Sequence, residues 1–394
     1  MFRARARSKS RVLLAGLLVV IPAGVTVYLR GELGRLQATL ASAESARADF
    51  EKSVELERRR GELRRRSLEA RVQAAQRREQ ELRVRVARKA GDQELRALRE
   101  ELLQLRGRLH AIEGASEAGE RIIRDYGGGV CLIQGAYAYY DEQGRPLRYK
   151  VDEDGEKIRE ADGSVAVDVE GDGPIHSVDA IGTGFLAEKG GLVVTNRHVV
   201  EPWWKNDTAA TLAKGGYKPR LLVLRAFFPR VEQPLKLEVE RVSSVVDLAV
   251  VRVELGGRRI PALPLDASSR GAVPGQPVVV VGYPTGLEAI LAKAETSVVQ
   301  QILSSQGGNT ERVTEALSRR GLIRPSTTQG HIGDVTSTDI VFDAATTQGG
   351  SGGPVFNKQG RVIAIEYATL PAFSGNSYGL PARYALELLE APRS

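Results

Sequence analysis

Along the chain the hydrophobic pattern changes period twice. Residues 12–29, VLLAGLLVVIPAGVTVYL, hold no charged side chain. As a helix at about 1.5 Å per residue they would reach roughly 27 Å, close to the thickness of a bilayer's hydrocarbon core. Residues 31–113 then switch to widely spaced apolar positions. Leu95, Leu98, Leu102, Leu105, Leu109 and Ile112 alternate by three and four, and Leu33, Leu36, Leu40 and Ala43 begin a similar series upstream. That spacing predicts the seam of a long coiled-coil helix. Runs such as RRRGELRRR in the middle, and Gly91-Asp92, interrupt it.

From about residue 120 the period shortens. GGVCLIQG, GTGFLAEKGGLVVTNRHVV, RLLVLRAFF, LAVVRVE, PVVVVGYP, DIVFDAA and RVIAIEYAT are short apolar runs separated by Gly, Asp and Pro. Many short strands with turns between them predict antiparallel barrels or a sandwich. Within this part, 135–180 carries Gln143-Gly144, Asp154-Gly155 and Asp162-Gly163, and reads as an exposed β-insertion. The Pro- and Gly-rich stretch 261–276 reads as a link between two half-domains. Residues 287–322 read as helical or irregular, and the whole of 287–340 as a second insertion. ARYALELLE near the C-terminus reads as a helix.

Charge sharpens the division. The net charge of +7 over 394 residues is uneven. Residues 1–11 carry five cations and no acid, and residues 30–113 carry 21 Lys and Arg against 15 Asp and Glu. Residues 114–394 are therefore net −4. An acidic globular part argues against nucleic acid as a partner, since that would need a basic face there. The five cations before the apolar segment predict an uncleaved signal anchor with 1–11 in the cytoplasm and the rest outside. A cleaved signal peptide is the competing reading. The Arg clusters of 31–113 are read as a solvated face. The single cysteine, Cys131, excludes an intrachain disulfide and a multi-cysteine metal site, and its place in GGVCLIQ predicts a small buried strand residue.

The candidate chemistry begins with GGSGGP at 349–354, which has the composition of a linker but lies between two strand-like runs. It fits the G-x-S-x-G elbow of α/β-hydrolases, whose chain order is Ser, acid, His. The four histidines are His110, His176, His198 and His331, all before Ser351, so that order is excluded. The order His, Asp, Ser is available. VVTNRHVV places His198 at the end of a strand-like run, and Asp247 opens DLAVVRV. A serine hydroxyl needs a base within hydrogen-bond reach to act as a nucleophile, and that base needs a partner to hold its tautomer. His331, with Asp334, is read as part of a loop, His110 as part of the charged helix, and His176 as part of the first insertion.

Five ordered blocks, Gly182-Thr183-Gly184-Phe185, Thr195-Asn196-Arg197-His198-Val199-Val200, Asp247-Leu248-Ala249-Val250, Val281-Gly282-Tyr283-Pro284 and Gly349-Gly350-Ser351-Gly352-Gly353-Pro354, resemble the trypsin-like serine proteases, most nearly the HtrA/Deg branch. The resemblance covers roughly 120–390. It implies a mainly β fold of two six-stranded antiparallel barrels within 118–394, the first over about 122–258 and the second over about 270–385. It implies His198 as base, Asp247 as its orienting acid, Ser351 as nucleophile, and the N–H groups of Gly349 and Ser351 as oxyanion donors. It places Ala345, six residues before the nucleophile, at the floor of the substrate pocket, with Ile365 and Glu366 beside it. Ala345 favours a small or medium apolar side chain. Glu366 would favour a basic one if it turned inward, whereas strand alternation aims it elsewhere.

No cofactor and no metal are implied. With about forty residues after Ser351, none of the PDZ modules common in the branch is expected here. The sequence thus predicts a single-pass, inner-membrane serine endopeptidase facing the periplasm, oligomeric through 31–113 and acting on envelope proteins. The alternative is a protease-like binding module recruited through its coiled coil, with little or no catalysis.

Overall fold

The computed structural model describes residues 118–392, apart from 161–163, 269–270, 307–308, 348 and 371–375, together with a few positions between 70 and 100. Those few positions are helical and exposed. The expected anchor at 12–29 and most of 31–113 lie outside the described residues. Among the described residues no helix is long and apolar enough to cross a membrane.

The apolar runs become strands, and the strands close into two six-stranded antiparallel barrels. Around the first barrel the order is β1 (Val130–Tyr140), β4 (Ser177–Glu188), β5 (Leu192–Thr195), β8 (Ala249–Val253), β7 (Leu235–Val242) and β6 (Lys218–Phe227), which returns to β1. Around the second it is β10 (Ser326–Val335), β11 (Ile340–Phe342), β14 (Asn376–Pro381), β13 (Val362–Leu370), β12 (Pro354–Asn357) and β9 (Pro277–Gly282). Closure leaves no unpaired sheet edge in either barrel.

Burial explains the composition of the strands. In β9, PVVVVG, Val279 and Val281 join a core cluster shared by both barrels, whereas Val278 and Val280 pack with Ile332, Phe342 and Val355. A continuous valine run suits a strand covered on both faces. The shared cluster takes Val130, Phe185, Phe227 and Leu248 from the first barrel and Val281, Tyr283, Phe356 and Ile365 from the second. This continuity fixes the barrels against each other. Cys131 is the expected buried strand residue, its Sγ 3.4 Å from the Gly184 carbonyl oxygen. Residues 254–276 connect the barrels and are laced to both, with Leu263 N donating to Leu186 O and Val362 N to Pro264 O, each at 2.8 Å.

The insertions are narrower than the sequence suggests. Gly135 pairs with Ala180 and Ala138 with Ser177, so the ends of 135–180 belong to β1 and β4. The strands extend this far because Tyr137 and Tyr139 are buried in a side cluster with Leu147, against Trp203. The excursion itself is 141–176 and holds the small pair β2 (Arg148–Tyr149) and β3 (Val167–Asp168). Likewise 287–340 is not one insertion. Three helices, Leu287–Lys293, Thr296–Gln306 and Thr310–Arg319, occupy its first part. Residues 326–335 then form β10, so His331 and Asp334 stand on a barrel strand and not in a loop. The helices present Ile290, Ile302, Val313 and Leu317 to the shared core. The third also reaches the first barrel, where Arg225 ion-pairs with Glu311 and Glu315 and Ser318 Oγ donates to Val231 O.

Candidate active site

His198 follows β5 directly. The strand ends at Thr195, Asn196 is extended with φ −78° and ψ 153°, and residues 197–200 make one helical turn that turns the histidine out of the sheet. Asp247 lies between β7 and β8 in a tight loop. That loop is held by Ser243, whose backbone N–H donates to Leu248 O and whose Oγ accepts from the N–H groups of Val245 and Val246. The loop brings the carboxylate to the histidine. His198 Nδ1 and Asp247 Oδ2 are 2.5 Å apart, and His198 N donates to Asp247 Oδ1 at 3.0 Å. One carboxylate therefore fixes both the ring and the backbone that carries it. Asn196 Nδ2 closes the arrangement by donating to the Asp247 carbonyl oxygen at 2.7 Å. The Asp247 side chain is 14% exposed, so its pairing with the ring is shielded from solvent, while His198 keeps an accessible edge at 36%.

Ser351 sits in a glycine turn from the second barrel. Gly350 N donates to Thr347 O at 3.0 Å, and Gly349 at the third position has φ +89°. A side chain there would be strained, and its Cβ would fall 2.6 Å from Tyr283 O. The following N–H groups are taken internally: Gly352 N donates to Glu366 O and Gly353 N to Gly350 O, both at 2.8 Å. Among the described residues the N–H groups of Gly349 and Ser351 donate to no protein acceptor. Two unengaged donors in one fixed turn can hold an anionic oxygen.

Thr183 joins this turn to the first barrel. Its N–H donates to Ser351 O at 2.8 Å, its Oγ1 donates to Gly349 O at 2.6 Å, and the same Oγ1 accepts from Tyr283 N at 3.0 Å. Its carbonyl in turn accepts from Thr195 Oγ1 at 2.7 Å. The residue thus links β5, β9 and the nucleophile turn. Its place in GTGF marks it as part of a motif, but a threonine carries no signal of that role.

The structure brings His198 and Asp247 into contact and ties the Ser351 backbone beside β4. Ser351 Oγ forms no hydrogen bond with His198 here; such bonds are often long in unliganded sites and tighten with substrate. Ala345 and Glu366 line one small cavity together. Ile365 does not join them: it is fully buried in the shared core. Glu366 turns inward, against the alternation argument. The register of β13 with β14 is unbroken from Ala364 to Glu366, so Glu366 shares its face of the strand with Ala364, which packs in the second barrel's own core. Its backbone clasps the turn, with Glu366 N donating to Gly353 O at 2.9 Å, and its carboxyl is 1% exposed. Burial pushes this carboxyl up to about 7, partly offset by the Thr346 hydroxyl.

Residues 182–365 match the family model described as a trypsin-like peptidase domain. Over 200 residues the chain is 30% identical to a putative serine protease HhoA from Synechocystis, covering 51% of this chain and 40% of that one. Over 218 residues it is 27% identical to a probable periplasmic serine endoprotease DegP-like from Halomonas elongata, covering 55% of this chain and 35% of that one. The chain therefore spans well under half the length of these relatives. A solved serine endoprotease from Yersinia pestis aligns with a TM-score of 0.40 at 16% identity, over 69% of this chain and 65% of that one.

Proposed function

We propose that this chain, which matches a trypsin-like peptidase domain over residues 182–365 and resembles serine proteases of the HtrA/Deg type, hydrolyses peptide bonds with Ser351 as nucleophile, His198 as base and Asp247 as the orienting acid. The observation that carries this reading is the double engagement of His198 by Asp247, through the ring at 2.5 Å and the backbone at 3.0 Å.

In the proposed mechanism the Asp247 carboxylate holds Nδ1 protonated, leaving Nε2 free to accept the Ser351 proton. Attack on the scissile carbonyl forms the Ser351 Oγ–C bond and an oxyanion. The N–H groups of Gly349 and Ser351 stabilise that charge, and His198 returns the proton to the leaving amine. Thr183 binds the carbonyls of Gly349 and Ser351 and so steadies the turn that carries these N–H groups. Hydrolysis of the acyl-enzyme repeats the cycle with water in place of serine. Ala345 and Glu366 contribute the substrate pocket.

We place the domain outside the cytoplasmic membrane, tethered by 12–29, spaced and oligomerised by 31–113, and acting on proteins of the cell envelope. The name of the DegP-like relative, a periplasmic endoprotease, supports this placement. The test is hydrolysis of an unfolded protein such as reduced casein by the full chain in detergent. Wild-type protein releases peptides, while Ser351→Ala reduces the rate by at least about 10³-fold. Equal rates in both would overturn the assignment.

A further inference from the structure

Beside the nucleophile turn lies a cavity bounded by Val280, Ser326, Thr328, Ala345, Gly350 and Glu366. Its volume, about 10 Å³ for the centre of a water-sized group, is room for roughly one hydroxyl or one water. The wall nearest Ser351 is Gly350. A Cβ there would lie 2.9 Å from each carboxyl oxygen of Glu366, so only glycine allows the acid this close to the turn. Glu366 Oε1 accepts from the Thr346 hydroxyl. Oε2 is buried and has no hydrogen-bond partner among the described residues.

Side-chain donors in the surrounding fold are engaged elsewhere. Lys293 Nζ donates to Ser326 Oγ on another wall, and His198 is paired with Asp247. Tyr367, next along β13, donates its hydroxyl to Asp339. The unsatisfied oxygen therefore awaits a donor from outside the fold. A buried acceptor without a partner is costly, and a site built around one rejects occupants that lack the matching donor.

We propose that Glu366 makes the pocket select, at the residue whose carbonyl is attacked, a small side chain ending in a hydrogen-bond donor (serine or threonine) over apolar side chains of the same size. This rests on the peptidase reading above. A serine or threonine hydroxyl fits the cavity and donates to Oε2. Alanine and valine leave it unpaired. Lysine and arginine carry donors but exceed the space. At pH 8 the carboxyl, held up to about 7 by burial, is mainly ionised and is an acceptor only.

The test uses the full chain in detergent at pH 8 with fluorogenic peptides differing only at that residue: Thr against Val, Ser against Ala, and Lys. A fluorophosphonate probe titrates Ser351 in every sample. The expected result is kcat/KM about tenfold or more higher for Thr than for Val and for Ser than for Ala, with Lys poorer than Thr. In Glu366→Leu the Thr-to-Val ratio falls to near one. Glu366→Gln, which keeps the shape and an acceptor, holds part of the preference. A wild-type ratio near one, as expected if Oε2 only binds an internal water, overturns the inference. So does a preference for Lys or for Val, with Ser351 still titrated by the probe. Absence of probe labelling overturns the peptidase reading and this inference with it.

Discussion

At the scale of single residues, Glu366 is the least ordinary feature of the molecule. An acid at 1% exposure favours its neutral form in the fold. Its pKa rises from an ordinary 4.5 to about 7. The sign follows: the neutral acid's advantage is complete below pH 4.5, and is lost as pH climbs through about 7. The difference corresponds to about 3 kcal/mol. Glu366→Gln carries no such group. Its stability relative to wild type is therefore expected to improve between pH 5 and pH 8 by up to about 3 kcal/mol, read from urea unfolding at the two pH values. Parallel pH trends in the two proteins would contradict this. Thr183 acts through others and is a positioning residue. Thr183→Val removes the donor to Gly349 O and leaves the buried Tyr283 N–H unpaired, a loss of about 1–3 kcal/mol of stability. We expect kcat to fall about tenfold or more with KM little changed, and Thr183→Ser to restore it. A rise in KM alone would show that the turn does not depend on this hydroxyl.

Among the elements, the three helices between β9 and β10 hold the barrels together from outside. Leu317 is fully buried in the shared core, so Leu317→Ala is expected to cost about 2–5 kcal/mol. The ion pairs of Arg225 with Glu311 and Glu315 are partly exposed, and Arg225→Ala is expected to cost about 1 kcal/mol or less. Chemical denaturation of the two variants separates packing from charge, and a larger loss for Arg225→Ala would reverse the ranking. The strands legible in the sequence are those with dense apolar runs, such as PVVVVG in β9 and VIAIEYATL in β13. β10, STTQGHIGDV, was hidden because only Gly330 and Ile332 of its ten residues are fully buried. Order along the chain sufficed to single out His198, Asp247 and Ser351 as candidates. It could not reveal Thr183 or Asn196 as anchors, because hydroxyl and amide side chains take their roles from partners distant in sequence. Nor could it fix the direction of Glu366, because β13 is buried on both faces, with Ala364 in one core cluster and Ile365 in another.

For the whole molecule, the acidic barrels and the basic first third divide the labour proposed for them. The net −4 of residues 114–394 suits a domain kept soluble and away from polyanions, while the leucine seam of 95–112 suits self-association. A peptide of residues 31–113 is expected to sediment as a dimer or trimer at micromolar concentration, and a monomer mass would remove the coiled coil from the account. The central claim is that the glycine turn carries a serine activated by a histidine from the other barrel. The most direct measurement is mass-spectrometric mapping of a fluorophosphonate adduct on the full chain, with wild type and His198→Ala side by side. The account predicts a single adduct on Ser351 in the wild type and labelling slowed at least about 10³-fold without the histidine. A folded wild-type protein with no adduct on Ser351, or labelling indifferent to His198, would contradict it.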